Sequence, residues 1–129
     1  MKVMCFGTFD GLHKGHLNYF KQAKKLGDYL IVVVARDENV LKSKKRKPNL
    51  SEKKRLEDVK NSGLVEKAIL GAVIDKMAVI KKLKPDIIAL GYDQKVDVEF
   101  LQKKFPQIKI MKLKAYKPKI YKSSILNRN

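Results

Sequence analysis

Both histidines of the chain, His13 and His16, stand three residues apart in the string Gly7-Thr8-Phe9-Asp10-Gly11-Leu12-His13-Lys14-Gly15-His16, directly after an apolar run from Lys2 to Phe6. Residues at that spacing share one face of a helix. Two imidazoles so placed can address a single phosphate, as neutral hydrogen-bond donors or as cations. Their location points the same way. Where a strand gives way to a helix, unpaired N–H groups and the positive end of the helix dipole stabilise an anion before any side chain takes part. Gly7 lets the backbone turn there and come close to a ligand. The chemistry that suits these residues is the binding and transfer of a phosphoryl group. Two alternatives are weaker. Zinc takes three or four His, Cys or carboxylate ligands, yet the chain has no third histidine, and its one cysteine, Cys5, lies inside the strand, so no metal ligands are assigned. An idle surface pair is the bland reading, but Gly7, Thr8, Asp10 and Gly15 make the string far more specific than two histidines alone.

The elements that must hold this string alternate along the chain. A helix is expected from His13 to Leu26, with Leu12, Tyr19, Ala23 and Leu26 at helical spacings and Gly27 placed to end it. Tyr29 to Ala35 is an uninterrupted apolar run, as in a parallel strand covered on both faces. Lys42 to Lys47 reads as a basic loop closed by Pro48. Ser51 and Glu52 open a helix that runs to about Lys60. A weaker strand is expected from Val65 to Leu70. Ile74, Met77, Val79, Ile80 and Leu83 mark a helix that must stop before Pro85, and Asp86 to Leu90 is a further strand. A short helix from Val98 to Lys104, a strand from Lys109 to Leu113 and a tail from Lys114 complete the pattern. Strand, helix, strand in succession implies right-handed crossovers and a parallel sheet with helices on both faces.

The 129 residues fit a single domain, 1–129, that can bury a core. Lys and Arg number 30 against 13 Asp and Glu, a net charge of +17. A positive cleft would speed capture of anionic substrates. Most of these lysines are nevertheless expected on solvated helix faces, because the charge is spread along the chain. One cysteine rules out an internal disulfide framework, and with no charged leader in front of the first strand the expected location is the cytoplasm. No apolar stretch approaches the ~20 residues that cross a bilayer, so no membrane partner is expected.

Gly7-Thr8-Phe9-Asp10 followed by His13-Lys14-Gly15-His16 resembles the signature of the cytidylyltransferase-like nucleotidyltransferases, small Rossmann-like enzymes. The likeness continues through Ala35-Arg36-Asp37, Arg46-Lys47-Pro48, Ala68-Ile69-Leu70-Gly71, Lys84-Pro85-Asp86-Ile87-Ile88 and Gly91-Tyr92-Asp93-Gln94, which in that order resemble the archaeal FAD synthetase branch. The resemblance implies an α/β three-layer sandwich with a five-stranded parallel sheet in the order 3-2-1-4-5. In that order the winding reverses between the first and fourth strands, and the crevice at their carboxyl ends is where ligands bind. The strings at 7–10 and 91–94 would then line one pocket.

For function, the resemblance implies transfer of AMP from ATP to FMN, giving FAD and pyrophosphate. The runner-up is a cytidylyltransferase that uses CTP and glycerol 3-phosphate or a similar small phosphoalcohol. A nucleic-acid-binding protein is a third reading, disfavoured because aromatic residues are not interleaved with the basic ones. By the same resemblance His13 and His16 stabilise charge at the α-phosphate and leaving group. Gly7, the backbone of Thr8 and Phe9, and Lys14 and Gly15 hold the nucleotide, and Asp93 sits at the ribose or base. Mg²⁺ should travel with the triphosphate. Asp10 is either a site residue or a cap for the helix that follows. Lys44 and Arg46 could fold over phosphates as a flap. Tyr121 and Ser123 stand in a Ser-rich segment that in the family binds the β- and γ-phosphates. There the chain departs from the glycerol-3-phosphate cytidylyltransferases, carrying Lys119-Ile120-Tyr121-Lys122 in place of Arg-Thr, which favours the flavin branch. The resemblance leaves the oligomeric state open, with a homodimer, frequent in the family, as one form it can take.

Overall fold

A computed structural model describes residues 1–75, 77–92, 94 and 96–114. The chain runs β1 (Lys2–Gly7), α1 (Lys14–Lys24), β2 (Tyr29–Val34), α2 (Asp37–Lys44), α3 (Glu52–Asn61), β3 (Lys67–Leu70), α4 (Ala78–Leu83), β4 (Ile87–Leu90), α5 (Val98–Lys104) and β5 (Lys109–Lys112). All strand pairs are parallel, in the order β3-β2-β1-β4-β5. The expected α/β three-layer arrangement is therefore the observed one.

Strand periodicity divides the core into two halves. Val3 and Cys5 of β1, Leu30, Val32 and Val34 of β2, and Ile87 and Ala89 of β4 face α1 and α3, where Phe20, Ala23 and Val59 cover them. Met4, Ile31, Val33, Ile88 and Leu90 face the other way, onto Val79 and Ile80 of α4 and Leu101 of α5. This explains why β2 and β4 are continuous apolar runs rather than alternating ones. Each aliphatic side chain fully buried in this way contributes about 1.5–3 kcal/mol, which fixes the register of the central strands.

One consequence of register governs the site. β1 pairs with β2 along its whole length, from Lys2↔Tyr29 to Gly7↔Val34. Its pairing with β4 covers only Val3↔Ile87 and Met4↔Ile88. Beyond Met4 the two strands part, and a crevice opens at their carboxyl ends.

Several local expectations need correction. The segment from Asp37 to Lys44 is helical, so the supposed basic loop begins only after Lys44, with Lys45 in a left-handed conformation (φ 58°) as the helix ends. The helix marked by Ile74 to Leu83 is only the six residues of α4, and Ile74 is 97% exposed. Gly27 does not end α1 by a left-handed turn. It is glycine because a Cβ would lie 2.5 Å from the Met1 carbonyl oxygen, where the chain passes under the start of β1. Ser51, by contrast, caps α3 as expected, its hydroxyl accepting from the Lys54 N–H.

Candidate active site

The chain leaves β1 at Gly7 and turns sharply. Phe9 adopts a left-handed conformation (φ 54°) and folds its ring back over Gly7, where a Cβ would come within 2.5 Å of the ring. The Phe9 ring is buried, lies edge-on to the His16 ring at 5.3 Å and packs on Phe20 at 5.2 Å. The strained residue thus forms the apolar wedge on which the second histidine rests. A cavity of about 1070 Å³ opens beside it, lined by the loop Gly7–Asp10, by His13–His16, and by Gly91, Tyr92 and Gln94 from beyond β4. The two strings more than eighty residues apart in sequence do meet in one pocket.

His13 and His16 are brought together as expected, though by a mechanism that spacing alone does not reveal. Their rings stack with centroids 3.8 Å apart and planes 20° from parallel. His13 is the N-cap of α1, its Nδ1 accepting from the Gly15 N–H at 3.0 Å, while the Nδ1 of His16 accepts from the His13 N–H at 3.4 Å. This is a capping box built from two imidazoles. An Nδ1 that accepts leaves the proton of the neutral ring on Nε2, so both rings become Nε2–H donors. The picture of a helix start with open amides is corrected accordingly, since the Gly15 and His13 N–H groups are already satisfied by the rings. Gly15 is glycine for the same reason. A Cβ there would meet the His13 ring at 2.8 Å.

Asp10 does not cap α1, although it lines the cavity. Its carboxylate accepts from the backbone N–H groups of Asn49 and Leu50 at 2.7 and 2.8 Å, tying the motif loop to the segment before α3. The Asn49 N–H, with help from Leu50, Arg55 and Arg46, holds the carboxyl below the usual Asp range. Arg46 lines neither of the cavities described here. Lys44, at the end of α2, lines both. Lys14 lines the first cavity. Asp93, Tyr121 and Ser123 lie outside the described residues.

The roles of three supporting side chains escaped the reading from sequence. Arg55 is fully buried. It donates to the carbonyls of Thr8 (2.9 Å), Ala35 (2.8 Å) and Leu50 (3.1 Å) and pairs with Asp37, so one guanidinium locks the motif loop to the ends of β2 and α3. Its signal was an arginine in the apolar stripe with Val59, hidden on a helix full of basic residues. Gln94 bridges the gap between the parting strands. Its Nε2 donates to the Phe6 carbonyl and its Oε1 accepts from the Gly91 N–H, each at 2.7 Å. The Tyr19 hydroxyl, from α1, donates to the Ala89 carbonyl at 2.6 Å and reaches Gln94 at 3.4 Å. Gln94 thus supplies the side-chain amide where β1 and β4 no longer pair directly. Cys5 takes no part, because burial pushes its thiol up to about 12.

Comparison with known proteins shows the family. The profile of the family described as cytidylyltransferase-like matches residues 4–126. A protein named FAD synthase from Methanosarcina barkeri is 48% identical over 80% of this chain and 73% of its own length. Another of that name from Thermoplasma volcanium is 46% identical over 85% of this chain and 77% of its own. A crystal structure described as a lipopolysaccharide core biosynthesis protein, also from Thermoplasma volcanium, superposes with a TM-score of 0.85 at 43% identity, covering 90% of this chain and 98% of that one. With the signature loop, the sheet order and the stacked histidines in place, the chain belongs to the cytidylyltransferase-like family, and within it stands among archaeal proteins named FAD synthase.

Proposed function

We propose that the protein is an FMN adenylyltransferase, moving AMP from ATP to FMN to give FAD and pyrophosphate. A phosphate oxygen of FMN attacks the α-phosphorus of ATP. The new P–O bond forms as the bond to the bridging α–β oxygen breaks, and its electron pair leaves with pyrophosphate. The protein's share of such a reaction is to position the reactants and to stabilise charge on the phosphoryl oxygens. The observation that carries the reading is the stacked His13–His16 pair, held by its capping bonds on the wall of the crevice where β1 and β4 part. Lys14 and Lys44 add positive charge to the walls, and the Gly7–Phe9 loop holds the nucleotide through its backbone. The relatives named FAD synthase supply the acceptor.

Mg²⁺ accompanies the triphosphate, where it neutralises phosphate charge. Among the described residues no three His, Cys, Asp or Glu side chains gather as a cage. The carboxylate nearest the motif, Asp10, is already engaged with Asn49 and Leu50. Lys14 and Lys44 line the cavity that would receive the triphosphate, and Mg²⁺ bound with it would supply further neutralising charge there. No helix among the described residues is long and apolar enough to cross a membrane, and the reaction is assigned to the cytoplasm.

Four incubations test the proposal: ATP or CTP, each with FMN or glycerol 3-phosphate, followed by pyrophosphate release. ATP with FMN should release it fastest, with FAD formed in equal amount. Release only from CTP with glycerol 3-phosphate would reject the flavin reading.

A further inference from the structure

Behind the histidine cavity, on the α4 and α5 side of the sheet, lies a second cavity of about 550 Å³. Its walls are mostly hydrocarbon, from Val33, Val40, Met77, Ile80, Leu90 and Leu101. At its mouth Phe100 and Val96 are 54% and 40% exposed, a cost the fold would avoid unless something covers them. Arg36, Asn39, Ser43, Gln94 and Asp97 bring polar groups into this lining. The Oδ1 of Asn39 is the buried side-chain atom without a hydrogen-bond partner among the described residues. Its Nδ2 donates to the Val73 carbonyl at 3.2 Å, which fixes the way the amide points. A buried acceptor left without a donor costs about 1–3 kcal/mol, and because Asn39 lines the cavity a small shift of its amide toward a ligand N–H would relieve that cost. The two cavities meet at a common wall of Phe6, Gly7, Thr8, Lys44 and Gln94.

We infer that this second cavity holds the tricyclic ring of the flavin acceptor, with Asn39 as a specificity residue that accepts from the ring's imide N–H. The inference rests on the FMN adenylyltransferase reading and extends it. A flat ring with an apolar edge and an imide edge matches mostly apolar walls that carry a few polar groups, the Asn39 amide among them. A small phosphoalcohol would leave the cavity unfilled and the Asn39 oxygen unpaired. With the ring seated there, the ribityl phosphate reaches the shared wall at Gly7, Thr8 and Lys44, facing an α-phosphate held by His13 and His16. The product FAD then spans the wall, adenylate on one side and flavin on the other.

Flavin fluorescence and steady-state rates test this with Asn39→Leu and with Phe100→Ala, the latter at an exposed position where folding is not at stake. Each should raise the KM for FMN about tenfold, equivalent to about 1.4 kcal/mol, and weaken riboflavin quenching to the same degree. The KM for ATP should stay near wild type in both, and so should the melting temperature of Phe100→Ala. Riboflavin lacks the phosphate, so its quenching reports the ring site alone. If the wild type makes FAD but neither variant changes KM for FMN or riboflavin quenching, the cavity assignment is wrong and the adenylyltransferase reading stands. If the wild type makes no FAD from FMN, both fall.

Discussion

His13 does two jobs with two nitrogens, and they can be separated. Nδ1 caps α1 through the Gly15 N–H, which leaves the proton of the neutral ring on Nε2 in a side chain that lines the first cavity. His13→Ala should lose both, costing about 1 kcal/mol of stability as a cap and at least ~100-fold in turnover as a lost charge-stabilising donor. Asn is among the best N-cap residues, so His13→Asn should recover the melting temperature while turnover stays low. Recovery of turnover with the cap would show that His13 is structural only. The spacing of the two histidines was readable from sequence because helix geometry fixes which residues share a face. Their capping role was not, since imidazoles seldom cap and the bond depends on ring orientations. The same holds for Asp10. Its carboxyl sits below the usual range because the Asn49 N–H, and next the Leu50 N–H, favour the charged form. A depressed folded-state pKa gives stability that is complete above the unfolded value of about 3.9 and fades as pH falls through the lower folded value. Asp10→Asn should therefore be less stable than wild type at pH 7, and the gap should close in acid melts below about pH 4. A gap unchanged with pH would mean the carboxylate charge contributes nothing.

At the level of elements, the strands were legible because continuous apolar runs such as Leu30 to Val34 have few other places to go. α2 was not legible. It buries Val40 alone, and its N-cap Arg36 makes no side-chain capping bond, so neither periodicity nor a cap signal announced it. Ile74 misled for the opposite reason, an apolar residue at a helical spacing that the fold leaves in solvent. The junction between β1 and β4 shows what sequence patterns do not carry. Their pairing stops at Met4↔Ile88, and Gln94 bridges the Phe6 carbonyl and the Gly91 N–H beyond that point. Gln94→Glu keeps the shape and the acceptor but turns a carboxylate oxygen toward the Phe6 carbonyl. It should lower kcat about tenfold or more, since small displacements of aligned groups are costly, and it should reduce stability by about 1–3 kcal/mol. Gln94→Leu should reduce kcat as well, by leaving both backbone groups without their partner. Wild-type kcat in both variants would show that the bridge does not position the crevice.

Over the whole molecule, a net charge of +17 acts at longer range than any single contact. Both proposed substrates are anions, and a field of this sign raises their encounter rate. Screening shortens its reach to about 8 Å at physiological salt and about 3 Å at 1 M. The kcat/KM for ATP should accordingly fall steeply between low and high salt while kcat changes little. Equal salt sensitivity of both would place the charge effect in the chemical step instead. Composition made this expectation visible, and the strand order placed the crevice, but the second cavity and the Arg55 lock depend on packing between segments far apart in the chain. The most direct test of the catalytic pair uses ATP labelled in its α-phosphate, incubated with FMN and Mg²⁺. Wild-type protein should pass the label into FAD with one pyrophosphate released per FAD, and the His13→Ala/His16→Ala double variant should stay folded yet transfer at least ~100-fold more slowly. Label entering FAD at the wild-type rate in the folded double variant would contradict a transfer centred on these two rings.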